Sequence, residues 1–191
     1  MADAGRVIAG TARGTRLEAP GTGTRPLGDR VKQTLFAILE PDLPGAQVLD
    51  LFAGSGAAGI EALSRGAGHA TFVERDPGAA RVIAANLERT RLGGERSLVV
   101  TADALTWLRG RMAGAAGLSY HVVFIDPPYA EAGLLMATLE ALSPHLVGRA
   151  RVVAKHFWRV QPPEVVGLLA SERERRFGET ALTFYRREED R

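Results

Sequence analysis

The stretch Asp50-Leu-Phe-Ala-Gly-Ser-Gly-Ala-Ala-Gly59 decides the fold, because it joins a short apolar strand to a helix through closely spaced glycines. Gly54, Gly56 and Gly59 have the spacing G-x-G-x-x-G. Glycines there permit a tight turn and let a ligand approach the backbone without a Cβ in the way. The stretch therefore predicts the start of an α/β domain, although a tight turn without a ligand would have the same spacing.

Strands rich in Val, Ile and Phe alternate with amphipathic helices on the C-terminal side of this stretch. The predicted strands are 48–52, 70–74, 97–101, 121–126 and 150–154, and the predicted helices are 57–65, 77–91, 103–111 and 134–142. Such alternation indicates a mostly parallel sheet with helices on both faces. A C-terminal antiparallel hairpin, 171–177 and 181–186, should bring the sheet to seven strands.

The N-terminal segment differs from this core. Residues 6–10 and 15–18 predict a small β-hairpin around a glycine-containing turn, and Asp29 is the expected N-cap of a helix that ends near residue 40. We expect one domain over 1–191, with an N-terminal arm at 1–28 and the core at 29–191.

Composition excludes several classes of protein. The 191 residues are 46% hydrophobic and 24% charged, which is ordinary for a globular chain. The absence of Cys excludes disulfides, thiolate metal sites and a Cys nucleophile. No apolar run approaches the ~18 residues of a membrane span, and the N-terminus lacks the apolar core of a signal peptide. We expect a cytoplasmic protein that does not contact membranes.

Positive charge is concentrated near the N-terminus. The formal net charge is +2, whereas residues 4–32 contain six bases and two acids, a net charge of +4. The bases are Arg6, Arg13, Arg16, Arg25, Arg30 and Lys32. This arm could contact a polyanion, or it could be a solvated terminus.

Acidic side chains stand at the ends of four predicted strands. They are Asp50, Glu74, Asp103 and Asp126. In open α/β sheets, ligands bind beyond the carboxyl ends of the strands. These residues therefore predict a crevice lined by carboxylates.

The first three carboxylates suggest a nucleotide-containing ligand. Asp50 suits an ammonium group, such as the methionine amine of S-adenosylmethionine, and would repel a phosphate of NAD. Glu74 can accept hydrogen bonds from ribose hydroxyls in either ligand. Asp103 can accept from an adenine amine, or act as an ordinary helix N-cap.

The segment Asp126-Pro-Pro-Tyr129 is the sharpest signal for chemistry. Two prolines end the strand in a rigid turn, because neither can donate a backbone hydrogen bond. The turn presents a carboxylate, a carbonyl and an aromatic ring, which together can hold and stack an exocyclic base amine. Asp126, Pro127 and Tyr129 are the predicted catalytic residues.

These motifs resemble those of class I S-adenosylmethionine-dependent methyltransferases, and more narrowly those of the bacterial RsmD family of 16S ribosomal RNA guanine-N2 methyltransferases. The similar segments are Arg6-Val-Ile-Ala-Gly, Arg25-Pro26, Asp29-Arg30-Val31, Thr34-Leu-Phe36, the glycine stretch, Glu61-Ala-Leu-Ser-Arg-Gly66, Phe72-Val-Glu74, Asp126-Pro-Pro-Tyr129, Phe177-Gly-Glu-Thr180 and Leu182-Thr-Phe-Tyr185. The resemblance implies a Rossmann-like fold and S-adenosyl-L-methionine as methyl donor. It also implies 16S ribosomal RNA, or the assembling small subunit, as partner.

The resemblance extends to individual positions. The implied donor-binding residues are Asp50, Phe52, Gly54, Ser55, Gly56, Glu74, Asp103 and Ala104. The implied RNA-contacting residues are Arg6, Arg13, Arg25, Asp29, Arg30 and Lys32. Phe52 also suits the core, as Phe72 and Phe124 do. The sequence departs from the family pattern at Leu27, Gly28, Gln33, Ala37 and Lys155.

The expected activity is direct methyl transfer to guanine N2 by a monomer that holds no metal. His156 and Trp158 could line the same crevice, with Lys155 or Arg159 reaching phosphate, or all four could lie in a solvent-facing loop. Alternatives are methylation of a DNA adenine or cytosine or of a protein glutamine, a dinucleotide-dependent oxidoreductase, and a non-catalytic RNA-binding assembly factor.

Overall fold

The computed structural model describes residues 2–21, 27–111, 119–129, 131 and 133–188. The strands of this part are β1 (Ala2–Arg6), β2 (Arg16–Ala19), β3 (Gln47–Leu51), β4 (His69–Glu74), β5 (Ser97–Thr101), β6 (Tyr120–Ile125), β7 (Leu146–Phe157), β8 (Val165–Val166), β9 (Leu169–Phe177) and β10 (Thr180–Arg187). The α-helices are α1 (Asp29–Leu39), α2 (Ala57–Ser64), α3 (Pro77–Thr90), α4 (Ala104–Arg111) and α5 (Leu134–Leu142). None of these helices is long and apolar enough to cross a membrane.

Eight strands form the central sheet in the order β5-β4-β3-β6-β7-β10-β9-β8. The five strands from β5 to β7 are parallel, and β10, β9 and β8 continue the sheet with antiparallel pairing. The predicted mostly parallel sheet and C-terminal hairpin are confirmed. The eighth strand, Val165–Val166, is too short to give a periodic pattern, so the sequence indicated only seven.

The strands bury side chains on both faces of the sheet. On one face, Phe72 and Phe124 pack in a core with α1, α2 and α3. On the other face, Leu49 and Ile125 pack with α4 and α5. Neighbouring strand residues point to opposite faces, which is why these strands read as nearly continuous apolar runs.

The N-terminal hairpin is present, but its first strand was predicted in the wrong place. β1 ends at Arg6 rather than beginning there. The backbone amides of Ile8 and Ala9 donate to the carboxylate of Glu61 in α2, at 2.7 and 3.0 Å. This contact with a distant helix takes the place of hairpin pairing.

Two further boundaries differ from the prediction. Gly28, rather than Asp29, is the N-cap of α1, because the helix already begins at Asp29; the Asp29 carboxylate accepts from Arg6 Nε at 3.1 Å. β7 has 12 residues instead of the predicted five, because it pairs with β6 on one side and β10 on the other. Its extra length carries Lys155 and His156 inside the strand.

Candidate active site at the carboxyl ends of the strands

A cavity of about 680 Å³ opens where β3, β4 and β6 end. Most of the predicted catalytic and donor-binding residues line it, namely Asp50, Phe52, Gly54, Ser55, Glu74, Ala104, Asp126, Pro127 and Tyr129. Phe52 lies just after β3 with a φ of 59°, so it faces this cavity rather than continuing the buried strand. Gly56 and Asp103 lie beside the lining residues.

The glycine loop is shaped by backbone geometry and by packing. Gly54 has a φ of 55°, where side chains are strained, and a Cβ on it would point into open space. Gly59 has another role, because a Cβ there would lie 2.3 Å from Cε1 of Phe72. The first glycine therefore forms the turn, and the last permits the helix to pack on the sheet.

Two backbone amides of this loop donate hydrogen bonds to carboxylates. Gly54 N donates to Glu74 Oε2 at 2.8 Å, and Gly59 N donates to Asp50 Oδ2 at 2.9 Å. A loop that binds pyrophosphate presents free amides to the anion. The occupied amides and the negative side chains behind them argue against a dinucleotide.

Asp50 is the most strongly perturbed group of the site. It is 3% exposed. Burial is the main cause that raises its pKa to about 8; the hydrogen bond from Gly59 opposes this rise, and the charges of Asp126 and Glu74 add to it. A cation placed beside Asp50 would relieve this desolvation.

Glu74 and Asp103 both accept hydrogen bonds from nearby backbone amides, and of the two only Glu74 lines the cavity. Glu74 Oε1 accepts from Asp76 N at 2.9 Å. Asp103 Oδ1 accepts from Thr106 N at 2.8 Å, and this hydrogen bond lowers the Asp103 pKa. The N-cap interpretation of Asp103 is confirmed, and its contact with adenine stays a prediction.

Asp126, at the start of the double-proline turn, forms an ion pair with Lys155. Lys155 Nζ donates to Asp126 Oδ2 at 2.7 Å, whereas Oδ1 accepts no hydrogen bond from the described residues. Burial raises the pKa of Asp126, and the Lys155 ammonium opposes this rise. Tyr129 lies beside them, 44% exposed, with its hydroxyl 3.2 Å from Thr180 Oγ1.

Comparisons with known proteins identify the family. A family model described as conserved hypothetical protein 95 matches residues 5–186. Ribosomal RNA small subunit methyltransferase D of Escherichia coli (strain K12) is 37% identical over 96% of this chain and 90% of its own length. The chain belongs to the RsmD family of methyltransferases. The family inferred from the sequence motifs is thus confirmed.

Further RsmD-like proteins support the same assignment. A candidate rRNA methyltransferase of Bacillus subtilis (strain 168), YlbH, is 38% identical over 95% of this chain and 98% of its own length. A solved Escherichia coli structure, the candidate methyltransferase yhhF, superposes with a TM-score of 0.83 at 35% identity, covering 96% of this chain and 97% of the other.

Three residues near the end of β7 differ from the sequence interpretation. Lys155 does not extend outward to phosphate, because it pairs with Asp126. His156 points to the opposite face of the strand, is 3% exposed and lies 2.8 Å from Thr183 Oγ1 through Nε2. Trp158 lies in the turn after β7 and, like His156, is not among the described residues that line the cavity.

The predicted RNA-contacting residues lie in different environments. Arg6, Arg13 and Arg30 are exposed, while Asp29 pairs with Arg6. The prediction that Lys32 contacts RNA is wrong, because Lys32 is 0% exposed and its ammonium donates to the carbonyl of Arg6. Burial also lowers its pKa. Arg25 lies outside the described residues.

The hairpin forms a fixed wall of the RsmD-family site rather than a loose arm. Ala4 of β1 and Ala19 of β2 line the same cavity as the double-proline turn. Glu61, buried in α2, anchors the loop between β1 and β2, and Ser64 Oγ accepts from Ala12 N at 3.0 Å. The sequence indicates Glu61 and Ser64 only as part of the family resemblance and predicts no role for them, since they sit in an otherwise apolar helix. Among the described residues, no group of His, Asp and Glu side chains is placed to hold a metal.

Proposed function

We propose that this protein methylates the N2 amine of a guanine in 16S ribosomal RNA, using S-adenosyl-L-methionine. The observation that carries the proposal is the cavity in which the Asp126 turn faces the glycine loop. Membership of the RsmD family supports a methyltransferase, and the Escherichia coli relative is named for small-subunit ribosomal RNA.

The acidic lining suits a cationic methyl donor. Asp50, Glu74 and Asp126 face the same cavity, and Asp50 is nearly buried. When bound, S-adenosyl-L-methionine supplies an electrophilic methyl group on a sulfonium centre. Asp50 would hold its ammonium group and Glu74 its ribose hydroxyls. A cation also offsets the mutual repulsion of the carboxylates.

Asp126 and Lys155 have different roles at the target amine. Lys155 occupies Oδ2 of Asp126, which favours the ionised carboxylate. Oδ1 then accepts one N–H of the guanine amine, and a carbonyl of the double-proline turn accepts the other. These two acceptors turn the nitrogen lone pair toward the methyl group, and this alignment supplies much of the acceleration.

Methyl transfer itself needs no covalent enzyme intermediate. The new bond forms to guanine N2 as the methyl–sulfur bond breaks, and the amine proton passes to Asp126 or to water. Tyr129 stacks on the base, a contact worth roughly 1–3 kcal/mol. The guanine must be unpaired or flipped out to enter the cavity.

A methyl-transfer assay that offers RNA, DNA and protein in parallel tests this function. We expect incorporation into 16S RNA or small subunits from cells lacking the protein, and abolition of turnover in Asp126→Ala with little change in donor affinity. Incorporation into DNA or protein alone would contradict the proposed substrate. Tight RNA binding by the wild type without turnover would favour an assembly factor instead.

A further inference from the structure

Three aromatic rings lead from the catalytic turn to the protein surface. The ring centroids of Tyr129 and Phe157 are 6.2 Å apart, and those of Phe157 and Trp158 are 6.1 Å apart. Phe157 ends β7, and the backbone amide of Trp158 donates to Glu179 O at 3.0 Å. The end of the row is thus tied to the turn between β9 and β10.

Two arginines lie over the outermost ring. The Arg176 guanidinium carbon is 3.7 Å from the centroid of the Trp158 ring, and that of Arg159 is 5.0 Å from it. Arg176 Nε donates to Gly178 O at 2.9 Å. Within the part of the chain that is described, neither guanidinium forms an ion pair with a carboxylate.

This arrangement fixes the direction of two cations without neutralising them. The ring attracts each guanidinium through its π-electrons and so holds it in place. The arginine side chains therefore lose less conformational freedom when a ligand binds than unrestrained side chains would. A guanidinium over a ring still has N–H groups at its edge, and its planar fork matches phosphate oxygens. The pair is therefore built for an oxyanion.

We propose that Trp158, Arg159 and Arg176 form a phosphate clamp for the RNA strand that flanks the target nucleotide. The inference rests on the proposed function, and it adds Arg176 to the sequence interpretation, which left open whether Trp158 lines the crevice and whether Arg159 reaches phosphate. Unpaired RNA is the occupant that fits, since the ring row begins at Tyr129, beside the place where the base enters. Aromatic rings interleaved with cations are typical of grooves that bind single strands.

The test compares the double variant Arg159→Gln/Arg176→Gln with Arg109→Gln, an exposed arginine on α4 across the sheet. The probes are naked 16S RNA and small subunits, both from cells lacking the protein. Loss of two phosphate contacts should reduce the slope of log affinity against log salt by about 1.4. The loss of affinity between 50 and 200 mM KCl then becomes about sevenfold smaller.

Companion variants separate the clamp from a general effect of charge. Trp158→Leu should weaken binding with both arginines present, and Trp158→Phe should retain most of the affinity. Affinity for S-adenosyl-L-methionine, measured by calorimetry, should be unchanged in all of these variants, which also shows that they fold. The RNA KM should rise more than kcat falls.

Each other outcome has a definite meaning. A salt slope of the double variant equal to that of Arg109→Gln would overturn the clamp. Weaker binding of the double variant to small subunits but not to naked RNA would also overturn it, because this result would indicate a protein contact. If the variants change the salt slope but the wild type transfers no methyl group to RNA, the proposed function fails and the clamp stands.

Discussion

Ionisation of Asp50 should make donor binding strongly pH-dependent. Its pKa of about 8 in the free protein means that the carboxyl is mostly protonated below pH 7. An ammonium group placed beside it favours the carboxylate, so binding must release this proton. Below pH 7 the donor's own α-amine, with an ordinary pKa of about 7.8, remains largely charged.

The size of the effect follows from the two pKa values. At pH 6.5, binding should release about 0.9 proton. Between pH 6 and 7, affinity for S-adenosyl-L-methionine should rise about eightfold, because the ionised fraction of Asp50 rises nearly tenfold while the amine loses little charge. Above pH 8 the trend should reverse as the amine deprotonates.

Titration calorimetry in two buffers of different ionisation enthalpy measures the released proton directly. Asp50→Asn should bind the donor more weakly at pH 7 and release no proton at this site. Asp126→Asn serves as the control for the other acid with a raised pKa. Donor binding with neither proton release nor pH dependence between pH 6 and 7 would refute the placement of the ammonium at Asp50.

The free protein offers a second readout with a defined sign. A carboxyl whose folded pKa is raised above its ordinary value costs stability as pH rises from about 4 toward 8, because the unfolded state loses the proton first. Asp50→Asn should therefore gain thermal stability relative to the wild type over this range.

Three further variants test other parts of the account. Lys155→Met should raise the pKa of Asp126 and move the acid limb of the kcat profile to higher pH. Turnover at pH 7 should fall about tenfold or more, and Lys155→Arg should restore it. An unchanged pH profile would show that Lys155 has no part in the mechanism. Glu61→Gln should lower the free energy of unfolding by about 2–3 kcal/mol and speed hydrogen exchange at the Ile8 and Ala9 amides. Unaltered exchange at these two amides would contradict the anchoring of the hairpin. Gly59→Ala should lower stability by about 1–3 kcal/mol through its clash with Phe72. Gly110→Ala, in α4 with open space around it, should instead raise stability by about 0.4–1 kcal/mol, and a melting experiment on both variants measures the difference.

The order of the core could be predicted because local signals agree with the global topology. Apolar strands, helix starts and the glycine stretch each follow from neighbours in sequence, and the carboxyl ends of parallel strands must meet. Asp50, Glu74 and Asp126 therefore meet around one cavity as expected. Ser97–Thr101 and Leu134–Leu142 match the predicted strand and helix residue for residue.

The features that escaped prediction depend on contacts between distant residues. Lys155 and Asp126 are 29 positions apart, and their ion pair forms because β6 and β7 are neighbours in the sheet. Lys32 looked like a surface cation, yet its ammonium caps the carbonyl of Arg6 in the hairpin. Neither pairing leaves a periodic signal in the chain.

Mass-spectrometric mapping of ribosomal RNA tests the central claim most directly. RNA from cells lacking the protein should miss one N2-methylguanine in 16S RNA, and the wild-type gene should restore it. Asp126→Ala, expressed to the same level, should not restore it. An unaltered set of methylated guanines in 16S RNA from the deletion cells would contradict the account.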